Sequence, residues 1–121
     1  MVARAARATV VEARLLLDGG TDPAAVGAAV TTELCGHWEH DGPCRWPHNT
    51  AIDTDTEPAR VRTLFVADAD EVAHVRERIA AVLRGEAGWR LVAITSRPAG
   101  AAEASLAGRL LAGPRRPGSD A

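Results

Sequence analysis

Two segments of alternating apolar residues, each followed by a turn signal and a stretch of helical period, constrain the fold of this chain most. Residues 9–17 place Val11, Ala13, Leu15 and Leu17 on one side and Val10, Glu12, Arg14 and Leu16 on the other, the two-residue period of a strand. Asp18-Gly19-Gly20 ends that strand. Thr21 or Asp22 can cap the next element, and Pro23 suits a first turn, where a missing N–H costs nothing. Val26, Ala29, Val30 and Leu34 then repeat at helical spacing, so a helix is predicted over 22–35 with Gly36 as its stop.

The theme recurs. Residues 60–67 read as a strand, and Asp68 with Glu71 has the spacing of a capping box. The helix predicted over 69–84 carries Val72, Val75, Ile79, Val82 and Leu83 on one stripe, and Gly85 and Gly88 end it. Residues 89–95 form a further strand closed by Pro98. Between the two units, residues 49–54 fit a short edge strand before the break at Glu57-Pro58. Residues 101–111 supply a short C-terminal helix through Leu106, Leu110 and Leu111.

The order β-α-β-β-α-β predicts an α+β domain of the ferredoxin-like, split β-α-β type. It would occupy residues 1–112, with a Cys/His-rich loop over 35–48 and a disordered tail over 113–121. A three-stranded sheet with the tail helix as its second layer competes if 49–54 is not a strand. The strands are apolar on both sides, through Val10, Leu16, Leu64, Val66, Val92 and Ile94 as well as the core set. A homodimer formed through the sheet face that the two long helices leave free would bury those residues.

The 121 residues fit one domain, and 46% apolar with 25% charged residues is enough to build a core without metal or disulfide. The formal net charge of −2 argues against nucleic acid and anionic lipid as partners. No apolar run reaches the roughly 18–20 residues of a membrane span. The stretch Met1 to Arg7 lacks the apolar core of a secretory signal. A cytoplasmic location follows as the expectation, and there paired cysteines serve more often as ligands or reactive thiols than as a disulfide.

Residues 35–48 carry the chemistry. Cys35, His37, His40, Cys44 and His48 fall within fourteen residues, in the pattern C-x-H-x2-H-x3-C-x3-H, and take both cysteines and three of the four histidines. Thiolate and imidazole from short-range pairs are what tetrahedral Zn2+ selects. Cys44-x3-His48 has that spacing, stiffened by Pro43 and Pro47, and His37-x2-His40 can present two imidazoles on one side of a turn. The expected cofactor is therefore Zn2+ or another transition metal. A closed site would use Cys35, Cys44, His48 and one of His37 or His40. An open one would use three ligands and water, with Glu39 or Asp41 orienting an imidazole or acting as a base. The segment lacks the paired C-x2-C of a zinc ribbon. A Cys35–Cys44 disulfide, a metal-free Cys/His nucleophile and a merely His-rich solvated loop are the competing readings. Trp38 and Trp46 would wall the site or simply pack the loop, and base stacking is a third use. The expected chain geometry also brings Asp68, Asp70 and His74 toward the loop, against the plainer reading of a helix cap and a surface histidine.

No P-loop, G-x-G-x-x-G, G-x-S-x-G or H-E-x-x-H is present. The function expected from the sequence is a metal-binding module for interaction, sensing or regulation, with a possible protein partner. A small metal-dependent hydrolase or lyase is the alternative.

Overall fold

The computed structural model describes residues 6–35, 46–85 and 88–112. The elements in chain order are β1 (Ala6–Leu17), α1 (Ala24–Cys35), β2 (His48–Asp53), β3 (Ala59–Asp68), α2 (Val72–Gly85), β4 (Trp89–Pro98) and α3 (Ala104–Ala112). Short 3-10 turns, Ala69–Glu71 and Ala101–Glu103, lead into α2 and α3. The class is α+β: four strands form one antiparallel sheet in the order β2-β3-β1-β4. The segment 49–54 is thus a strand, shifted by one residue. The tail from residue 113 lies outside the described residues.

One sheet face carries the main core. Val11, Ala13 and Leu15 of β1 and Val61, Phe65 and Ala67 of β3 pack against Val26, Val30 and Leu34 of α1 and Val75, Ile79 and Leu83 of α2. These are the helical stripes that the sequence spacing marks. Full burial of such side chains contributes about 1.5–3 kcal/mol each. Trp89 is buried as well, which its indole N–H permits by donating to the Leu83 carbonyl at 3.0 Å. Asp22 makes the start of α1, its Oδ1 accepting from the Ala24 N–H at 3.0 Å. Gly88 sits at φ +107°, where a Cβ would come within 3.3 Å of Thr21 Oγ1.

The expected capping box at Asp68 and Glu71 does not form. Asp68 stands in extended backbone with no side-chain cap bond. The 3-10 turn displaces the start of α2, and Glu71 turns to Trp46 instead, with Oε1 3.4 Å from the indole N.

The other sheet face is not a continuous apolar surface. Val10 and Leu64 are buried under Ala107 of α3, with Ala8, Ala99, Leu106 and Leu110 around them. Beyond α3 this face carries charge: the register sets Glu12 opposite Arg62, and Arg14 opposite Arg60. Ile94, expected on this face, lies on the helix-covered one. The β1–β4 register pairs Arg14 with Ala93 and Leu15 with Leu91, so Val92 bulges out, 51% exposed, and Ile94 comes opposite Ala13 in the main core. A bulge moves every later residue of its strand to the other side.

Candidate metal site at His48

Three of the five expected ligands, His37, His40 and Cys44, lie outside the described residues, as does the thiol of Cys35. Cys35 is the last residue of α1 and His48 the first of β2, so the segment between them leaves one element and enters the next. Among the described residues no group of three or more His, Cys, Asp and Glu converges on one point.

His48 is held at both ring nitrogens. The register pairs it with Phe65, which puts it on the sheet face that α1 covers. Its Nδ1 is 3.1 Å from the Trp46 carbonyl and its Nε2 is 3.0 Å from Thr31 Oγ1. A carbonyl can only accept, so Nδ1 carries the proton, and Nε2 accepts from the Thr31 hydroxyl. Burial pushes the His48 pKa below its ordinary 6.5, and the bond to the Trp46 carbonyl offsets part of that shift. The side chain is therefore a neutral imidazole whose Nε2 lone pair is aimed by a backbone bond at the opposite nitrogen, the arrangement in which histidine ligates metals. Thr31 lies four residues before Cys35, one helical turn. The lone pair thus addresses the closing turns of the helix that Cys35 ends.

The roots of segment 36–45 are clamped together. Arg78 of α2 donates from Nε to Glu33 Oε2 and from Nη2 to the Glu33 carbonyl, both at 2.9 Å. The same guanidinium lies 5.4 Å from the centroid of the Trp46 ring. Trp46 is 5% exposed, meets His74 edge to face at 5.8 Å, and faces Glu71. Arg78 therefore ties the last turn of α1 to the residue at which the described chain resumes. His74, an exposed residue, and Glu71 of the 3-10 turn reach Trp46, while the loop toward which Asp68, Asp70 and His74 were expected lies outside the described residues. Trp46 is part of the main core, which is the packing role of the alternatives stated for it. Trp38, Glu39 and Asp41 lie outside the described residues.

No motif in the sequence marks Thr31, Glu33 or Arg78. Glu33 and Arg78 are 45 positions apart, and nothing local distinguishes either from an ordinary solvated charge. Thr31 had a faint signal: it stands one turn before Cys35, where α1 first turns polar after Val30.

No protein-family model matches the chain, and it matches none of the curated proteins with which it was compared. No described helix is long and apolar enough to cross a membrane.

Proposed function

We propose that residues 35–48 form a zinc-binding module that shapes a loop for interaction, sensing or regulation. The observation that carries this reading is the state of His48: neutral, protonated on Nδ1 by its bond to the Trp46 carbonyl, and aimed through Nε2 at the end of α1. In the proposed site Cys35, Cys44 and His48 bind the ion together with His37 or His40. His48 would hold the ion through Nε2, the atom that Thr31 Oγ1 now occupies at 3.0 Å. The clamp of Glu33 and Arg78 fixes the two roots of the loop, which would hold Cys35 and His48 in place for the ion.

Elemental analysis after exhaustive dialysis tests the module. About one Zn2+ per chain is expected, falling several-fold in Cys44→Ser and His48→Gln. A metal-free protein whose Cys35 and Cys44 are alkylated at the rate of a free thiol would remove it.

The architecture proposed for the sheet is the ferredoxin-like split β-α-β. The order β2-β3-β1-β4 and the packing of α1 and α2 against one face support it. The face-to-face homodimer, in the cytoplasm, stays a proposal with less apolar surface to bury than the strands suggest, because α3 already takes Val10 and Leu64. Sedimentation at micromolar concentration decides it, and a monomer there would end the proposal.

A further inference from the structure

A cleft of about 590 Å³ opens where the start of β1, the end of β4, the start of α2 and one side of α3 come together. That volume is in the range of small-molecule sites. Its lining is divided by chemistry. Three cations, Arg7, Arg76 and Arg97, lie along it with the hydroxyls of Thr9 and Ser96, whereas Val72, Pro98, Ala107 and Leu111 contribute apolar wall. Among the described residues no Asp or Glu lines it.

The three arginines are not equivalent. Arg97 is committed to the protein: its guanidinium makes a two-pronged bond to Glu103, both contacts at 2.9 Å, with Glu12 at 3.9 Å behind. Among the described residues Arg76 donates to the neutral Ser96 hydroxyl, at 3.2 Å. Arg7 and Arg76 have no carboxylate partner among the described residues. Two planar cations with no carboxylate beside them among the described residues therefore border an apolar hollow, on a protein whose net charge is negative. Solvated arginines need no apolar wall beside them, and a purely apolar site needs no arginines.

We propose that this cleft binds an amphipathic anion, a small molecule with a carboxylate or phosphate head and an apolar body. Arg7 and Arg76 take the head, since the guanidinium fork matches the oxygens of either group. Ser96 already holds Arg76 at one prong and orients it. Val72, Ala107 and Leu111 cover the body. Leu111, 45% exposed, is one of two large apolar side chains left markedly open among the described residues, and a bound body would shield it. This site is independent of the loop at His48 and stands or falls separately from it.

Titration by calorimetry and amide NMR of the full chain with octanoate and octyl phosphate tests the proposal. Saturable binding of one molecule per chain is expected for at least one of the two, with shifts at Ser96, Ala99 and Ala107; which of them binds tighter identifies the head group. Octanol should bind at least about tenfold more weakly, as should either anion to Arg7→Gln/Arg76→Gln, the loss expected when charge-assisted hydrogen bonds disappear. Both substituted residues are exposed, so the fold is retained. Arg84→Gln, a charge removed from the far end of α2, should bind as the parent does. Four results would each overturn the proposal: no binding of either anion at about 5 mM; inorganic phosphate binding as tightly as octyl phosphate; equal loss in Arg84→Gln; or association only with phosphatidylglycerol vesicles.

Discussion

On one face of the sheet Phe65, Leu15 and Val61 meet two long helices across a layer of large apolar side chains. On the other, Val10 and Leu64 meet Ala107 of a nine-residue helix, and much of what fixes that helix is ionic. Glu103 stands just before α3 and is 4% exposed. Its carboxylate accepts two bonds from Arg97 and one from the Gly100 N–H at 2.7 Å, with Arg62 at 3.6 Å. The same β1 and β3 thus serve two layers held by different forces. Apolar burial on the first face does not itself depend on pH, although His48 titrates at its α1–β2 corner. The second layer depends on one carboxylate staying ionised, and these partners hold its pKa at about 2 rather than 4.5, the Arg97 bonds first among them.

Truncation separates the faces most sharply. Phe65→Ala should lower the unfolding free energy by about 3–5 kcal/mol, because the cavity opens between sheet and both long helices. Urea unfolding measures it, and a loss below about 1 kcal/mol would mean that the helix-covered face is not the dominant core. Leu64→Ala on the opposite face should cost less, roughly 2–3 kcal/mol, since α3 is small enough to settle into the space. Equal losses would erase the distinction.

Glu103→Gln should act on one layer alone. Amide exchange in α3 should quicken several-fold while the amides of α1 and α2 keep their protection. Loss of protection throughout would show instead that α3 is integral to the main core.

Acid should act on the α1–β2 corner and on α3 in different windows. Glu103 has a depressed pKa in the folded state, so its contribution is complete above about pH 4.5 and is lost as pH falls toward 2. His48 is held neutral by burial, with a pKa below 6.5. The unfolded chain takes up that proton more readily, so the His48 contribution is complete above about pH 6.5 and falls away as pH drops below it. The smallest effect foreseen is therefore a slight loss of stability just under pH 6.5, at the α1–β2 corner, absent in His48→Gln. Fluorescence of Trp46 and amide shifts of α3, followed from pH 8 to 2, should change in that order. Simultaneous change would join the two layers into one unit.

Much of the framework was legible because it rests on local period. The stripes Val26/Val30/Leu34 and Val75/Ile79/Leu83 need only helical spacing, and β1 and β3 need only alternation. What was not legible depends on partners distant in sequence. The Val92 bulge is set by pairing with β1, so alternation in β4 put Ile94 on the wrong face. Asp68 and Glu71 have capping-box spacing, but Trp46 drew Glu71 away. Within the candidate site, spacing alone marks Cys35, His37, His40, Cys44 and His48. The bonds that define the state of His48 come from Thr31 and from the backbone of Trp46, and no motif encodes either. Arg97 and Glu103 are six residues apart, yet the turn that lets them meet sits between a strand and a helix, where no single period applies.

The bulge at Val92 has a bearing on how this protein behaves at high concentration. The outer strands of the described sheet are β2 and β4, and an outer strand is a template onto which another chain can add by backbone pairing. β2 offers six residues, His48–Asp53, directly after Pro47. β4 is longer, ten residues, but the bulge interrupts its ladder, Arg90 and Arg97 flank the interruption, and Pro98 closes the far end with no N–H to give. Neither border presents a long flat strand, so growth of the sheet from molecule to molecule, the first step toward fibrous aggregates, finds no regular edge on which to begin.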